Sequence, residues 1–182
     1  VIRIAMIGAP CTGKTTIAKL LVEDFPLRYV HEYAADCIAR GMEIGKDIDQ
    51  LEITKRQKFY EDYTSNMAGA SGNIGLVTDS HLYHSIIYTK LNRPDLLEDV
   101  EKVLGSYRYN LALWTMIEDI PMIDNGARRL DEVERLIVEC AIEEYVANVE
   151  DEVVILRGSP EERYKEAGEA VRRVIEDATW WY

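Results

Sequence analysis

Apolar residues along the chain gather into five short, nearly continuous runs, at 1–7, 27–31, 74–79, 109–117 and 152–156. Each has the length and the Val, Ile, Leu or Tyr content of a strand buried on both faces. Between them lie longer stretches in which apolar residues recur at helical spacing, at 17–22, 34–42, 49–67, 80–91, 95–104, 131–149 and 161–178. Their ends carry breakers: Asp24-Phe25-Pro26, Gly41 and Gly45, Pro94, and Gly105. Strand and helix alternate along the whole chain, which predicts a doubly wound α/β domain with a five-stranded parallel sheet. A length of 182 residues suits one such domain spanning residues 1–182. In the helix 49–67 the apolar positions Ile48, Leu51, Ile53, Phe59, Tyr60 and Tyr63 form a stripe expected to pack in the core. Tyr60 or Tyr63 could alternatively stack on a base or ring, with Tyr60 the choice for substrate binding. In 131–149 the expected buried side is Val133, Leu136, Ile137, Cys140, Ala141 and Tyr145.

The turn after the first run carries chemistry. It reads Gly8-Ala9-Pro10-Cys11-Thr12-Gly13-Lys14-Thr15, followed by Thr16, and fits G-x-x-x-x-G-K-[ST] at each fixed position. A strand precedes it and a helix follows, which is the context this motif requires. Glycines let the backbone wrap closely round a polyphosphate. Unpaired amides and the dipole at the helix start direct positive charge at it. Residues 8–16 are therefore the expected nucleotide cradle. Lys14 would reach the β- and γ-phosphates of ATP, and the Thr15 hydroxyl would hold Mg²⁺.

In open parallel sheets ligands gather at the carboxyl ends of the strands. Glu32 follows the second run and is the first choice for a base that takes a proton from a substrate hydroxyl. The competing reading makes it a cap of the next helix. Asp36 is the second choice, as a substrate-binding acid. Asp79 ends the third run and is the expected metal-handling partner of Thr15. Ser80, His81 and His84 open the next helix, with capping and packing as their expected roles. Arg128, Arg129 and Arg135 lie on a loop and the first turns of the helix 131–149. Arginines there would neutralise the charge that builds on a moving phosphoryl group. Arg128 is the catalytic choice, with Arg129 and Arg135 as substrate-binding helpers, on a lid of about residues 120–135.

Charge narrows the partners. The formal charge of −12 argues against broad, non-specific binding to nucleic acid or an anionic membrane. Apolar content of 47 % and charged content of 30 % fit a globular protein. Cys11, Cys37 and Cys140 are odd in number and widely spaced, so neither a disulfide framework nor zinc spacing emerges, and a reducing, cytoplasmic setting is expected. No run reaches membrane-spanning length, and no signal peptide precedes the first strand. The tail Trp180-Trp181-Tyr182 must pack on the body or on a neighbour, which leaves a homodimer open.

With these landmarks placed, the chain resembles the small phosphate-loop kinases related to the ribosylnicotinamide kinase domain of NadR, a family also grouped with AAA-type ATPase domains. The resemblance is carried by Gly8 to Thr16, His31-Glu32-Tyr33-Ala34, Thr78-Asp79-Ser80, Asp124-Asn125-Gly126-Ala127-Arg128 and Gly158-Ser-Pro-Glu-Glu-Arg163. It implies a three-layer P-loop fold with sheet order 2-3-1-4-5 and a helical lid. It also implies ATP- and Mg²⁺-dependent phosphoryl transfer to a nucleoside- or nucleotide-like acceptor. Related kinases occur in bacteriophages, so a kinase acting on 5-hydroxymethyluracil in DNA is a second reading. An exposed basic groove near Lys55–Lys58 would favour it. A nucleotide-driven ATPase switch is the third.

Overall fold

The computed structural model describes residues 1–118, 120, 132–149 and 151–179. Most of the expected lid, including Arg128 and Arg129, and the tail Trp180-Trp181-Tyr182 lie outside the described residues. The strands are β1 (Ile2–Ile7), β2 (Leu27–Val30), β3 (Gly75–Thr78), β4 (Leu111–Thr115) and β5 (Val153–Leu156). The helices are α1 (Lys14–Asp24), α2 (Tyr33–Ala39), α3 (Gln50–Ala70), α4 (Tyr83–Asn92), α5 (Leu97–Leu104), α6 (Glu132–Val146) and α7 (Pro160–Thr179). All five strands run parallel in the order β2-β3-β1-β4-β5. Strand order reverses beside β1, and the loop after β1 opens there, as ligand sites in open sheets do.

The apolar runs are explained by burial on both faces. Along β1, Ile2, Ile4 and Met6 join Ile17 and Leu21 of α1 and Ala167 and Val171 of α7 in one cluster. Ile7 turns the other way, onto Ile87 of α4 and Val138 and Ile142 of α6. This is the two-residue period of a strand between two helical layers. Each fully buried Ile or Leu contributes roughly 1.5–3 kcal/mol. Gly75 is required by the pairing of β3 with β1, since a Cβ there would lie 2.2 Å from the Ile2 carbonyl oxygen.

Two helices face differently from the sequence expectation. On α3, Phe59, Tyr60 and Tyr63 are exposed, and the residues buried are Ile53, Thr54, Gln57, Glu61, Ser65 and Ala68. The ladder Ile53, Gln57, Glu61, Ser65 advances by four and lies under the sheet edge. Its polar groups are satisfied there: Tyr107 and Tyr109 hydroxyls each donate to Glu61 at 2.8 Å, and Gln57 donates to Glu61 and to Thr78 Oγ1 at 3.2 Å. A polar stripe with partners in place can be buried, and the aromatics are then left outside. On α6, Val133, Leu136, Ile137 and Cys140 are exposed, while Arg135, Val138, Glu139 and Ile142 face the sheet.

Candidate active site

The loop after β1 is shaped by its glycines and by one threonine of β4. Gly8 has φ 153° and packs so tightly that a Cβ would lie 2.5 Å from the Thr115 carbonyl oxygen. Thr12 is buried; its hydroxyl donates to the Ala9 carbonyl at 2.9 Å and lies 2.7 Å from Thr115 Oγ1. Cys11, at φ 58°, takes a left-handed backbone that costs a non-glycine residue about 1–2 kcal/mol. Gly13, at φ 85°, leads into α1, and among the described residues no side chain caps that helix start. Its first amides are thus presented at the loop, as an anion site requires. The Lys14 ammonium donates to the Gly8 and Ala9 carbonyls at 2.8 and 2.7 Å, holding its charge over the loop.

Asp79 follows β3 and is buried beside α1. Its Oδ2 accepts from Thr15 Oγ1 at 3.0 Å and from the Tyr29 hydroxyl at 2.5 Å. Its Oδ1 is buried without a partner among the described residues. Burial raises the Asp79 pKa, the hydrogen bond from Tyr29 opposes that rise, and nearby Glu32 adds to it. An acid held in a costly charged state, with one oxygen unsatisfied and a hydroxyl beside it, fits a divalent cation. Burial and the Asp79 charge likewise push the Tyr29 phenol far up, so it remains a donor.

Glu32 is the residue before α2, and its side chain makes no cap to that helix. It opens instead onto a cavity of about 270 Å³ bounded by α2, α3, α4 and Glu134 of α6. The cavity mixes apolar walls (Ile38, Ile44, Ile53, Leu82, Tyr88) with polar groups (Gln50, Gln57, Ser80, Ser85, Asn92). His84, also in its lining, joins it to the phosphate loop: Nε2 accepts from the Gly8 amide at 3.4 Å, and Nδ1 lies 3.3 Å from Ser80 Oγ. Gln57 fixes the α2 side by accepting from the Tyr33 amide at 2.8 Å. Among the described residues the charged groups lining the cavity are Glu32, Glu134 and Arg93, and the Arg93 guanidinium is forked onto Asp95 at 2.9 and 2.7 Å.

The structure thus gathers Gly8–Thr16, Glu32 and Asp79 at one end of the sheet. The other sequence candidates fall elsewhere. Asp36 is outside the cavity lining and pairs with His31 at 2.9 Å. Tyr60 is also outside the lining and packs on Tyr33 with ring centroids 5.7 Å apart. Arg135 is buried and donates to the Ile120 carbonyl at 2.8 Å. Tyr29, Gln57 and His84 escape a motif reading. The four-residue ladder through Gln57 was a usable signal, whereas Tyr29 and His84 acquire meaning through partners distant in sequence.

A family model described as AAA domain matches residues 3–163. The chain belongs to the AAA domain family. No curated protein matches it in sequence. Among solved structures it is similar to a NadR protein in complex with NR, at 24 % identity and TM-score 0.71, covering 95 % of this chain and 51 % of that one. A NadR protein in complex with NAD and AMP-PNP is similar at 20 % identity and TM-score 0.68, with coverage of 95 % and 49 %. The chain spans about half the length of these NadR chains. Deoxyadenosine kinase from M. mycoides, holding the products dCMP and dCDP, is similar at 10 % identity and TM-score 0.56, covering 94 % of this chain and 100 % of that one. This AAA domain has the P-loop fold of nucleoside kinases. Among the described residues no helix is long and apolar enough to cross a membrane.

Proposed function

We propose that the protein is a kinase that moves the γ-phosphoryl group of ATP to a hydroxyl of a nucleoside-like acceptor. The observation that carries this reading is that Glu32 lines a cavity which His84 joins to the phosphate loop. The loop amides and Lys14 bind the donor phosphates. Thr15 and Asp79 would hold Mg²⁺, which would neutralise charge on the transferring group. Glu32 takes the acceptor proton as the hydroxyl oxygen bonds to the γ-phosphorus. The bond to the β–γ bridging oxygen breaks, and ADP leaves. Arg128, with Arg129, is assigned to the charge on the transferring oxygens.

The charges of the cavity favour a nucleoside over a nucleotide. Among the described residues two carboxylates line it, and the one lining arginine, Arg93, is already forked onto Asp95. The basic group on α3 offers little support for a DNA substrate: Arg56 pairs with Glu52 and Lys58 with Asp62, both at 2.7 Å. Kinase folds around the nucleosides and nucleotides of the similar structures agree with the reading.

The test is a transfer assay with γ-labelled ATP, Mg²⁺ and, separately, free nucleosides, nucleoside monophosphates and DNA containing 5-hydroxymethyluracil. Label is expected on one or more nucleosides. Slow ATP hydrolysis with no labelled acceptor would overturn the reading in favour of an ATPase switch, and label on DNA would move the acceptor to a modified base.

A further inference from the structure

The acceptor cavity shares a wall with a second one. His81 and Leu82 line both, and the second cavity has a volume of about 210 Å³. Its walls are rich in tyrosine: Tyr83, Tyr107, Tyr109 and Tyr145 line it, with Glu101 and Arg108 as the charged groups. Tyr83, Arg108 and Tyr145 continue into a third cavity along the end of α6.

His81, which is 3 % exposed, stands in that shared wall. The ring stands 4.4 Å from the Tyr109 ring and 5.3 Å from the Tyr145 ring, centroid to centroid. Nδ1 accepts from the Tyr83 amide at 3.0 Å, so the proton of the neutral ring sits on Nε2, 3.4 Å from the Tyr145 hydroxyl. The ring thus stands in the wall between a site of mixed polarity and a tyrosine-rich pocket.

We infer that His81 sets the size of acceptor the enzyme takes, and that the tyrosine-lined cavity behind it is a subsite for a flat aromatic substituent carried on the acceptor. The inference rests on the acceptor cavity proposed above. Tyrosine rings bind flat rings by stacking and edge contacts; Tyr83 and Tyr145 already stack on each other with centroids 3.9 Å apart, and a flat ring would extend that stack or meet its edge. Leu82 remains as the floor, packed with Ala5 and Tyr109.

The partition can be thinned without losing its backbone bond. The bond from the Tyr83 amide to His81 spans two residues, the pattern that Asn and Ser side chains also make. His81→Asn and His81→Ser therefore keep the turn into α4 while removing the ring. The measurement is kcat/KM for the best nucleoside of the wild type and for its analogue benzylated on the base, in all three proteins. The ratio of analogue to parent is expected to rise at least about tenfold in one or both variants, the scale of discrimination that pocket size exerts. A ratio within about twofold of wild type, in variants that still melt cooperatively, would overturn the inference. A second readout needs no turnover: the affinity of 5-fluoroindole, followed by ¹⁹F NMR. It should tighten several-fold in His81→Ser, and equal affinity in wild type and variant would count against the partition. If the wild type phosphorylates no nucleoside, the proposed function fails, and the fluoroindole affinities still decide whether His81 is a partition.

Discussion

The phosphate loop and the acceptor cavity are built in opposite ways. The loop is held largely by neighbours: Lys14 reaches Gly8 and Ala9 and Thr12 reaches Ala9, while Thr115, His84 and Asp79 brace it from far along the chain. The cavity draws on α2, α3, α4 and α6, and its polar groups are positioned by distant partners. Gln57 is held by Tyr33, Glu61 and Thr78, and His84 by Gly8. A site of the first kind tolerates change in its surroundings and fails sharply when one of its own residues is altered. A site of the second kind changes gradually, because each wall is supported by several elements.

This contrast sets an order of expected effects. Lys14→Ala should be the most damaging, lowering kcat by about 10³-fold or more while the protein keeps its melting behaviour, since Lys14 is only half-buried and its ammonium donates to the carbonyls of the loop itself. Steady-state kinetics with a parallel thermal melt checks both halves. Asp79→Asn comes next. An Asn oxygen still accepts from Thr15 and Tyr29, so the fold holds, whereas the charge for the metal is gone. Turnover should fall by about 10²-fold or more, and the Mg²⁺ concentration for half-maximal rate should rise. Mg²⁺ titration of the residual activity measures this.

Glu32→Gln touches the border between the two regions. Loss of a positioned base costs about 10²–10⁴-fold in kcat, with nucleotide affinity retained because the loop is unaltered. Comparing kcat with the dissociation constant of an ATP analogue tests the split. Equal losses in both would mean that Glu32 supports the loop rather than the acceptor.

The smallest effect belongs to the far support of the cavity and is read in stability. Burial pushes the Glu61 carboxyl up to about 7 from 4.5, although Tyr109, Tyr107 and Gln57 all donate to it. Between those values the unfolded chain has released this proton and the folded chain keeps it. Stability therefore falls as pH rises through about 4.5 to 7, by up to ~1.4 kcal/mol per pH unit, and the loss is complete above the folded value. Glu61→Gln removes this contribution. Denaturant midpoints at about pH 5 and pH 7 should differ less in the variant than in the wild type. An unchanged difference would show that Glu61 ionises normally.

The same contrast explains what could be read from the sequence. Five buried strands, their parallel arrangement and the loop at Gly8–Thr15 follow from local pattern, and Asp79 stands where a strand-end acid was expected. The facing of α3 did not follow, because its buried side is polar and its exposed side aromatic. Glu61 and Gln57 are tolerated inside by the hydroxyls of Tyr107, Tyr109 and Thr78, up to 48 residues away in sequence. On α6 the same inversion buries Arg135 and Glu139, with the Ile120 carbonyl and the Ile117 amide as their partners. A hydrophobic stripe reports the buried face only when no polar network competes for it.

The central claim is that the phosphate loop and the cavity under Glu32 serve one reaction. The most direct measurement is a crystal structure with AMP-PNP and a nucleoside that the protein phosphorylates. The expected result places the acceptor hydroxyl between Glu32 and the γ-phosphate, about 3–3.5 Å from the phosphorus. A nucleoside bound away from Glu32, with the cavity empty and the γ-phosphate facing solvent, would contradict it.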